Sequence, residues 1–167
     1  MRSLTVLVAV SILASACSRS TPPPELPPGP EGVTDIVAAV RGLPCPTCAA
    51  AAEAALRQRL PGVATISISE SEQTIAVSRT DGAALFSPAV FRDAVRGTGI
   101  EVLTFHVDGC GIIEGMGSQQ PFFVAGKNRF ALKDLKEAPT GEMLCVSGRL
   151  DDQTDPYQLT PTAIRAY

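Results

Sequence analysis

The chain has 167 residues, a formal net charge of −3, no tryptophan and 5% aromatic residues. Its acidic and basic residues are interspersed rather than gathered into a basic patch, and few aromatic side chains are present to stack on bases, so no nucleic-acid partner is expected. This length is enough for one ordinary domain or two small ones.

The first sixteen residues have the pattern of a secretory signal peptide. Arg2 precedes an apolar run over residues 4–14, which is too short to span a bilayer. Small residues at 14–16 come directly before Cys17, an arrangement that resembles the bacterial lipobox. The resemblance implies removal of residues 1–16 and lipidation of Cys17, and hence an exported protein anchored to a membrane of the bacterial cell envelope. The alternative is an ordinary signal peptide followed by a chance cysteine.

Residues 17–32 are expected to form a tether between this anchor and the folded part of the chain. The segment contains six prolines and almost no apolar side chain. It therefore cannot bury a core, and its prolines favour an extended, semi-rigid spacer. At about 3 Å per residue the tether could hold a domain about 40 Å from a membrane surface.

Residues 33–108 alternate between strand and helix patterns. Two helices are predicted, an Ala-rich one at 48–60 that stops at Pro61-Gly62 and one at 88–96 with Ser87 as its N-cap. Strands are predicted where β-branched or alternating apolar residues recur, at 33–40, 63–69, 74–79 and 100–107. The order β-α-β-β-α-β predicts an α+β, ferredoxin-like fold for this region.

Cys45 and Cys48 lie in Gly42-Leu43-Pro44-Cys45-Pro46-Thr47-Cys48, where the first predicted strand ends and the first helix begins. The unpaired N–H groups and the dipole of a helix N-terminus favour negative charge, so both thiols are expected to ionise readily. Two thiolates at this spacing can ligate one soft ion, which favours Cu(I) or Hg(II), whereas Zn(II) needs further ligands. Cys45 and Cys48 are therefore the predicted metal ligands.

This motif, the helix after it, Pro61-Gly62-Val63 at the next strand and Gly97-Thr98-Gly99 before the last one together resemble the heavy-metal-associated domain. Copper chaperones and the periplasmic mercury-binding protein belong to that family. The resemblance covers residues 33–108. It implies capture and transfer of a soft metal, Cu(I) first among the candidates, by a protein that is not an enzyme and that meets a metal-donor or metal-acceptor protein.

The motif departs from the usual Gly-Met-Thr-Cys-x-x-Cys of the family at two positions. Leu43 replaces methionine and should fill the same space in the core, because swaps of similar volume are tolerated. Pro44 replaces threonine, which removes a loop N–H and restricts Leu43. The departure bears on the flexibility of the loop and hence on the kinetics of transfer.

Other interpretations of the pair stay open. A thiol–disulfide redox protein also carries Cys-x-x-Cys at a helix N-terminus, and exported cysteines often form structural disulfides. Outside the cytoplasm an oxidised pair would need reduction before it could bind metal. With incidental thiols, the chain would be an envelope interaction or assembly lipoprotein that uses its surfaces.

Residues 109–167 predict a small β module. Short apolar stretches alternate with turn signals, and residues 146–150 and 159–161 resemble small OB-type barrels over a short stretch. The predicted architecture is therefore a ferredoxin-like βαββαβ domain, expected to fold and bind metal by itself, followed by a small, OB-like β module. No catalytic set is recognisable in this segment.

His106, Cys110 and Cys145 could supply a second soft-metal site or an extra ligand. The alternative is that Cys110 and Cys145 pair or stay buried, and that His106 is a strand residue with a local partner. Their spacing matches no known zinc type, so a second metal is not predicted.

Overall fold

The computed structural model describes residues 31–43, 45–115, 120–135 and 141–167. The predicted signal peptide, Cys17, nearly all of the tether and Pro44 lie outside the described residues. The described residues form ten elements: β1 (Gly32–Arg41), α1 (Pro46–Arg59), β2 (Val63–Ser69), β3 (Thr74–Arg79), α2 (Pro88–Arg96), β4 (Glu101–Glu114), β5 (Phe122–Ala125), β6 (Asn128–Leu132), β7 (Leu144–Asp151) and β8 (Gln158–Ala166).

Both helices begin at the caps that the sequence supplies. The Oγ of Ser87 accepts the N–H of Val90 at 3.4 Å, and Pro88 occupies the first turn of α2. A proline in the first turn costs little because its missing N–H would have no partner inside the helix. Helix α1 begins two residues earlier than predicted, at Pro46, and ends just before Pro61-Gly62.

The eight strands within the described ranges belong to one sheet, with the order β2-β3-β1-β4-β5-β6-β8-β7. Strand β4 also pairs with β7, so that β4, β5, β6, β8 and β7 close a five-stranded barrel. The predicted fold class, a ferredoxin-like βαββαβ domain followed by a separate β module, is therefore wrong. Strands make up 50% of the described residues, and the barrel and the helix-covered strands share one sheet.

Strand β4 joins the helix-covered strands to the barrel. From Phe105 to Ile113 its burial alternates without a break, so the strand passes straight through the expected boundary between residues 108 and 109. Gly109 and Gly111 make this possible, because a Cβ at either position would collide with the backbone of β1 or β5. Glycine here permits a close approach of neighbouring strands, whereas in the sequence it resembles the end of a strand.

The hydrophobic core is equally continuous. One cluster of buried side chains extends from Leu56 on α1 to Phe130 and Leu159 in the barrel. At its centre Phe105 of β4 packs edge-to-face against Phe86 and Phe91, with ring centroids 5.6 and 5.2 Å apart. Helix α2 thus packs on β4, α1 packs on α2 and β2, and the apolar faces of both helices join the barrel interior in one core.

Candidate metal site

The structure brings the two predicted ligands together at the start of α1. Cys45 is the N-cap in an extended conformation, and its Sγ accepts the backbone N–H of Cys48 at 3.3 Å. The Cys45 carbonyl accepts the N–H groups of Cys48 and Ala49 at 3.0 and 3.2 Å. A sulfur in this position receives a hydrogen bond that stabilises negative charge on it.

The two sulfurs are joined as a disulfide, with a Cα–Cα distance of 5.3 Å. Both residues are half-buried, so that one side of the pair faces solvent. The structure therefore places Cys45 and Cys48 close enough for their sulfurs to share one ion, and it shows the oxidised state of the pair.

The charges of α1 favour a thiolate pair at this end. No acidic side chain lies in its first turn, and Arg57 and Arg59 lie in its last turn. Cations at the C-terminus complement the helix dipole, and the N-terminus is left without a carboxylate that would repel a thiolate.

The loop before the pair is held by the turn between β2 and β3. Leu43 is 5% exposed, as its predicted place in the core requires, and its N–H donates to the Gln73 Oε1 at 3.3 Å. The Gln73 Nε2 donates to the Glu70 carbonyl at 2.7 Å, and its own carbonyl accepts the N–H of Val40 at 2.8 Å. Gln73 thus connects the β2–β3 turn to the cysteine loop, and no motif in the sequence indicates this role.

Gly42 lets the cysteine loop approach the backbone of Gly99. Its φ of +87° lies in the region that favours glycine, and a Cβ there would lie 2.8 Å from the Gly99 carbonyl oxygen. The loop between α2 and β4 therefore packs directly against the loop that carries the cysteines.

The described part of the chain places no third protein ligand at the pair. Among the described residues no group of three or more His, Cys, Asp or Glu side chains could hold a metal ion. Cys110 pairs with Gly32 in the sheet register, whereas Arg41, close to the cysteine loop, pairs with Glu101. Since β1 has ten residues, Cys110 lies about 30 Å along the sheet from that loop, at about 3.3 Å per residue.

Cys110 and Cys145 lie directly opposite each other on β4 and β7 and form a disulfide, with a Cα–Cα distance of 4.0 Å. His106 lies opposite Val37 on one side and Arg149 on the other. Of the two alternatives for these residues, the structure supports pairing of the cysteines and an ordinary strand position for the histidine.

Neither α1 nor α2, the two helices of the described residues, combines the length and the apolar character needed to cross a membrane. No protein-family model matches the chain. No curated protein sequence matches it significantly.

Among solved structures, one similar chain is the N-terminal domain of PacS from Synechocystis PCC6803, at 25% sequence identity. The match covers 41% of this chain and 92% of that chain, with a TM-score of 0.34. A score at this level does not establish a shared fold or activity, so the function has to be inferred from the residues themselves.

Proposed function

We propose that this protein captures one soft metal ion, Cu(I) or Hg(II), between the sulfurs of Cys45 and Cys48 and passes it to a partner protein by ligand exchange. The observation that carries the proposal is the meeting of both sulfurs at the N-terminus of α1, with a backbone N–H directed at the Cys45 Sγ. This is a binding and transfer function, not an enzymatic one.

The choice of ion follows from the number of ligands. Two thiolates satisfy an ion that accepts two soft ligands, whereas a structural zinc ion takes four. Since the described residues offer no third His, Cys, Asp or Glu ligand at the pair, Cu(I) and Hg(II) fit and Zn(II) is expected to bind more weakly.

Metal capture requires a reduction step first. The Cys45–Cys48 disulfide takes up two electrons and two protons from a dithiol reductant, which itself becomes a disulfide. Metal binding then releases both protons as the two thiolates coordinate the ion. The half-buried position of the pair leaves room for a thiolate of a metal donor or acceptor to replace one cysteine at a time.

The proposed place of this exchange is the bacterial cell envelope. Lipidation of Cys17 would anchor the chain to a membrane, and the Pro-rich tether would separate the metal site from the membrane surface. The partner would then be an exported or membrane-bound protein that carries thiolates.

Anaerobic titration of the reduced full chain with Cu(I), Hg(II) and Zn(II) tests the proposal. The Cys110→Ser/Cys145→Ser double variant is the background, because it leaves Cys45 and Cys48 as the only cysteines of the folded part. One Cu(I) or Hg(II) per chain is expected, and further replacement of Cys45 or Cys48 by serine should abolish tight binding while the circular dichroism spectrum is unchanged. Unchanged affinity in both serine variants would refute the assignment.

The observed disulfide favours a second candidate, a thiol–disulfide redox protein. That function predicts rapid reduction of a model protein disulfide such as insulin by the reduced chain, with no stoichiometric Cu(I) binding. Metal capture predicts stoichiometric Cu(I) binding without rapid reduction of insulin, so the two assays together distinguish the candidates.

A further inference from the structure

Strand β2 forms one end of the sheet, and its outer edge pairs with no other described strand. Strand β7 comes last in the strand order but pairs with β4, which closes the barrel. Among the described strands, β8 beyond Leu159 also has no neighbour on the side of β6, but Pro161 and Arg165 interrupt that stretch. Because proline and charged side chains hinder the pairing of an edge with another chain, this part of β8 is protected.

Strand β2 lacks such protection. Its sequence, Val-Ala-Thr-Ile-Ser-Ile-Ser, contains no charged residue and no proline, and most of its side chains are β-branched. A register shift near Ala64 disturbs its pairing with β3, and the pairing is regular from Thr65 to Ser69. Over this regular stretch, every other residue directs its backbone N–H and C=O groups away from β3, where no described strand accepts them. The edge of β2 is therefore open to a further strand.

The regular stretch of β2 is complementary to itself. In an antiparallel pair of two copies centred on Ser67, Ile66 of one copy lies opposite Ile68 of the other, and Thr65 lies opposite Ser69. The two isoleucines pack against the core of their own copy and are only partly buried. Cross-strand pairs of β-branched side chains and of hydroxyl side chains stabilise a sheet. Pairing of two copies would therefore bury the flanks of both isoleucines.

The two ends of β2 carry opposite charges. Arg59 ends α1 just before the strand, and Glu70 and Glu72 lie in the turn just after it, all three exposed. None of the three has an ion-pair partner within 4.0 Å among the described residues. Asp81, which lies near the basic end, accepts the N–H of Ala84 at 3.2 Å. Antiparallel pairing would bring the acidic turn of each copy to the basic end of the other, so the attraction would occur twice.

We propose that β2 is a dimerisation strand, through which two copies of this chain pair antiparallel and continue one sheet across both. A second copy fits this edge because its side-chain register and its end charges are both self-complementary, as a twofold interface requires. Gln73 holds the cysteine loop beside the β2–β3 turn, so the two cysteine pairs lie at opposite ends of the paired strands. The dimer is therefore independent of the proposed metal function.

Sedimentation equilibrium of residues 17–167 carrying Cys17→Ser tests the proposal. This chain lacks only the predicted signal peptide, and the serine prevents both lipidation and intermolecular disulfides through Cys17. Because a contact of one strand is small, dimers are expected at protein concentrations of about 100 μM rather than at nanomolar ones.

Ser67→Lys should raise the dissociation constant of the dimer by about tenfold or more, because two lysines would face each other at the twofold axis. The fold should be unaffected, since Ser67 is exposed. Thr104→Lys is the matched control: it adds the same charge at an exposed strand position on β4, which β3 and β1 separate from β2. Its dissociation constant should stay within about twofold of the starting chain.

A charge exchange tests the antiparallel arrangement. Arg59→Glu alone and Glu70→Lys/Glu72→Lys alone should each weaken the dimer by about fivefold, and the three changes together should restore its affinity to within about threefold. Cys45→Ser/Cys48→Ser should dimerise like the starting chain.

Four results would overturn the proposal. The first is a chain that stays monomeric at about 500 μM. The second is a Ser67→Lys variant that dimerises like the starting chain, or no more weakly than Thr104→Lys. The third is a charge exchange that restores no affinity. The fourth is a dimer that disappears with Cys45→Ser/Cys48→Ser, which would place the contact at the cysteines.

Discussion

Gln73 shows at the scale of one residue how the cysteine loop is positioned. It makes two side-chain hydrogen bonds, one to the backbone of Leu43 before the loop and one to the Glu70 carbonyl in its own turn. The first joins residues 30 positions apart. Sequence patterns report local periodicity and caps, and therefore give no sign of a contact at that separation.

Replacing Gln73 by methionine should destabilise the protein. The change keeps the length of the side chain but removes both hydrogen bonds, and the N–H of the buried Leu43 loses its partner. An unsatisfied buried donor costs about 1–3 kcal/mol, so the free energy of unfolding should fall by that amount in a urea titration. Gln73→Glu keeps the acceptor oxygen for Leu43 but brings a carboxylate oxygen against the Glu70 carbonyl, so it should lose stability as well. Equal midpoints for wild type and Gln73→Met would show that the loop is held in another way.

At the scale of elements, Arg92 on α2 connects the helix to the barrel. Its Nε and Nη2 donate to the two carboxylate oxygens of Asp152, which follows β7, at 2.6 and 2.9 Å. The same guanidinium donates to the Val102 carbonyl and lies over the ring of Phe105, 5.1 Å from its centroid. One side chain thus joins α2, β4 and the β7–β8 loop.

The Arg92–Asp152 pair should make stability depend on pH in the acid range. Burial by itself would raise the pKa of Asp152, but the hydrogen bonds from Arg92 and Gln153 and the charge of Arg92 outweigh it and hold the pKa below its usual value. A lowered pKa contributes stability that is full above the unfolded-state value of about 3.9 and is lost as pH falls through the folded-state value.

Asp152→Asn should therefore be less stable than wild type at pH 6, by about 1.5–3 kcal/mol, and the difference should shrink below pH of about 4. Urea unfolding of both proteins at several pH values measures it. Asp93→Asn removes an exposed ion pair with Arg96 and should change stability little at either pH. A difference between wild type and Asp152→Asn that is constant down to pH of about 2 would contradict the assignment.

The elements themselves were largely predictable. The bounds predicted for β2, β3 and α2 agree with the structure, because alternation, Pro88 after Ser87 and glycine-containing turns mark their ends locally. The closure of the barrel was not predictable, since it depends on pairing of β4 with β7 and of β6 with β8. Neither register is encoded in the spacing of apolar residues.

The position of Cys45 and Cys48 at a helix N-terminus was predictable, and the surroundings of the pair were not. The spacing of Cys45 and Cys48 before a helical pattern is enough to bring both to one helix N-terminus. The partner of Cys110 could not be deduced in the same way, because Cys145 comes 35 residues later and only the β4–β7 register places the two opposite each other.

At the scale of the whole molecule, the proposed anchor lies outside the described residues and needs its own test. When the chain is expressed in a bacterium with its native N-terminus, it should fractionate with membranes, and Cys17→Ser should leave it unprocessed or release it. Several acyl chains anchor stably, whereas one binds only marginally. Wild-type protein found entirely in the soluble periplasmic fraction would refute lipidation.

Strand β4 belongs both to the helix-covered part of the sheet and to the barrel, and this determines the effect of truncating the chain. One of its edges pairs with β1 and the other with β7, and the Phe105 in its centre belongs to the common core. A chain that ends at residue 108 loses β7 and exposes the second edge of β4, although it keeps both helices and both cysteines of the proposed metal site. Unpaired strand edges invite association, and lost burial lowers stability.

We therefore expect residues 31–108 alone to melt at a much lower temperature than the full chain, or to aggregate, despite carrying every element of the βαββαβ order. Thermal unfolding followed by circular dichroism, together with amide dispersion in an NMR spectrum, measures the difference. The Cys110→Ser/Cys145→Ser double variant is the control, since it removes the disulfide but keeps β7 in place. If the fragment melts cooperatively within about 5 °C of the full chain, the barrel contributes little to the stability of the strands that position Cys45 and Cys48.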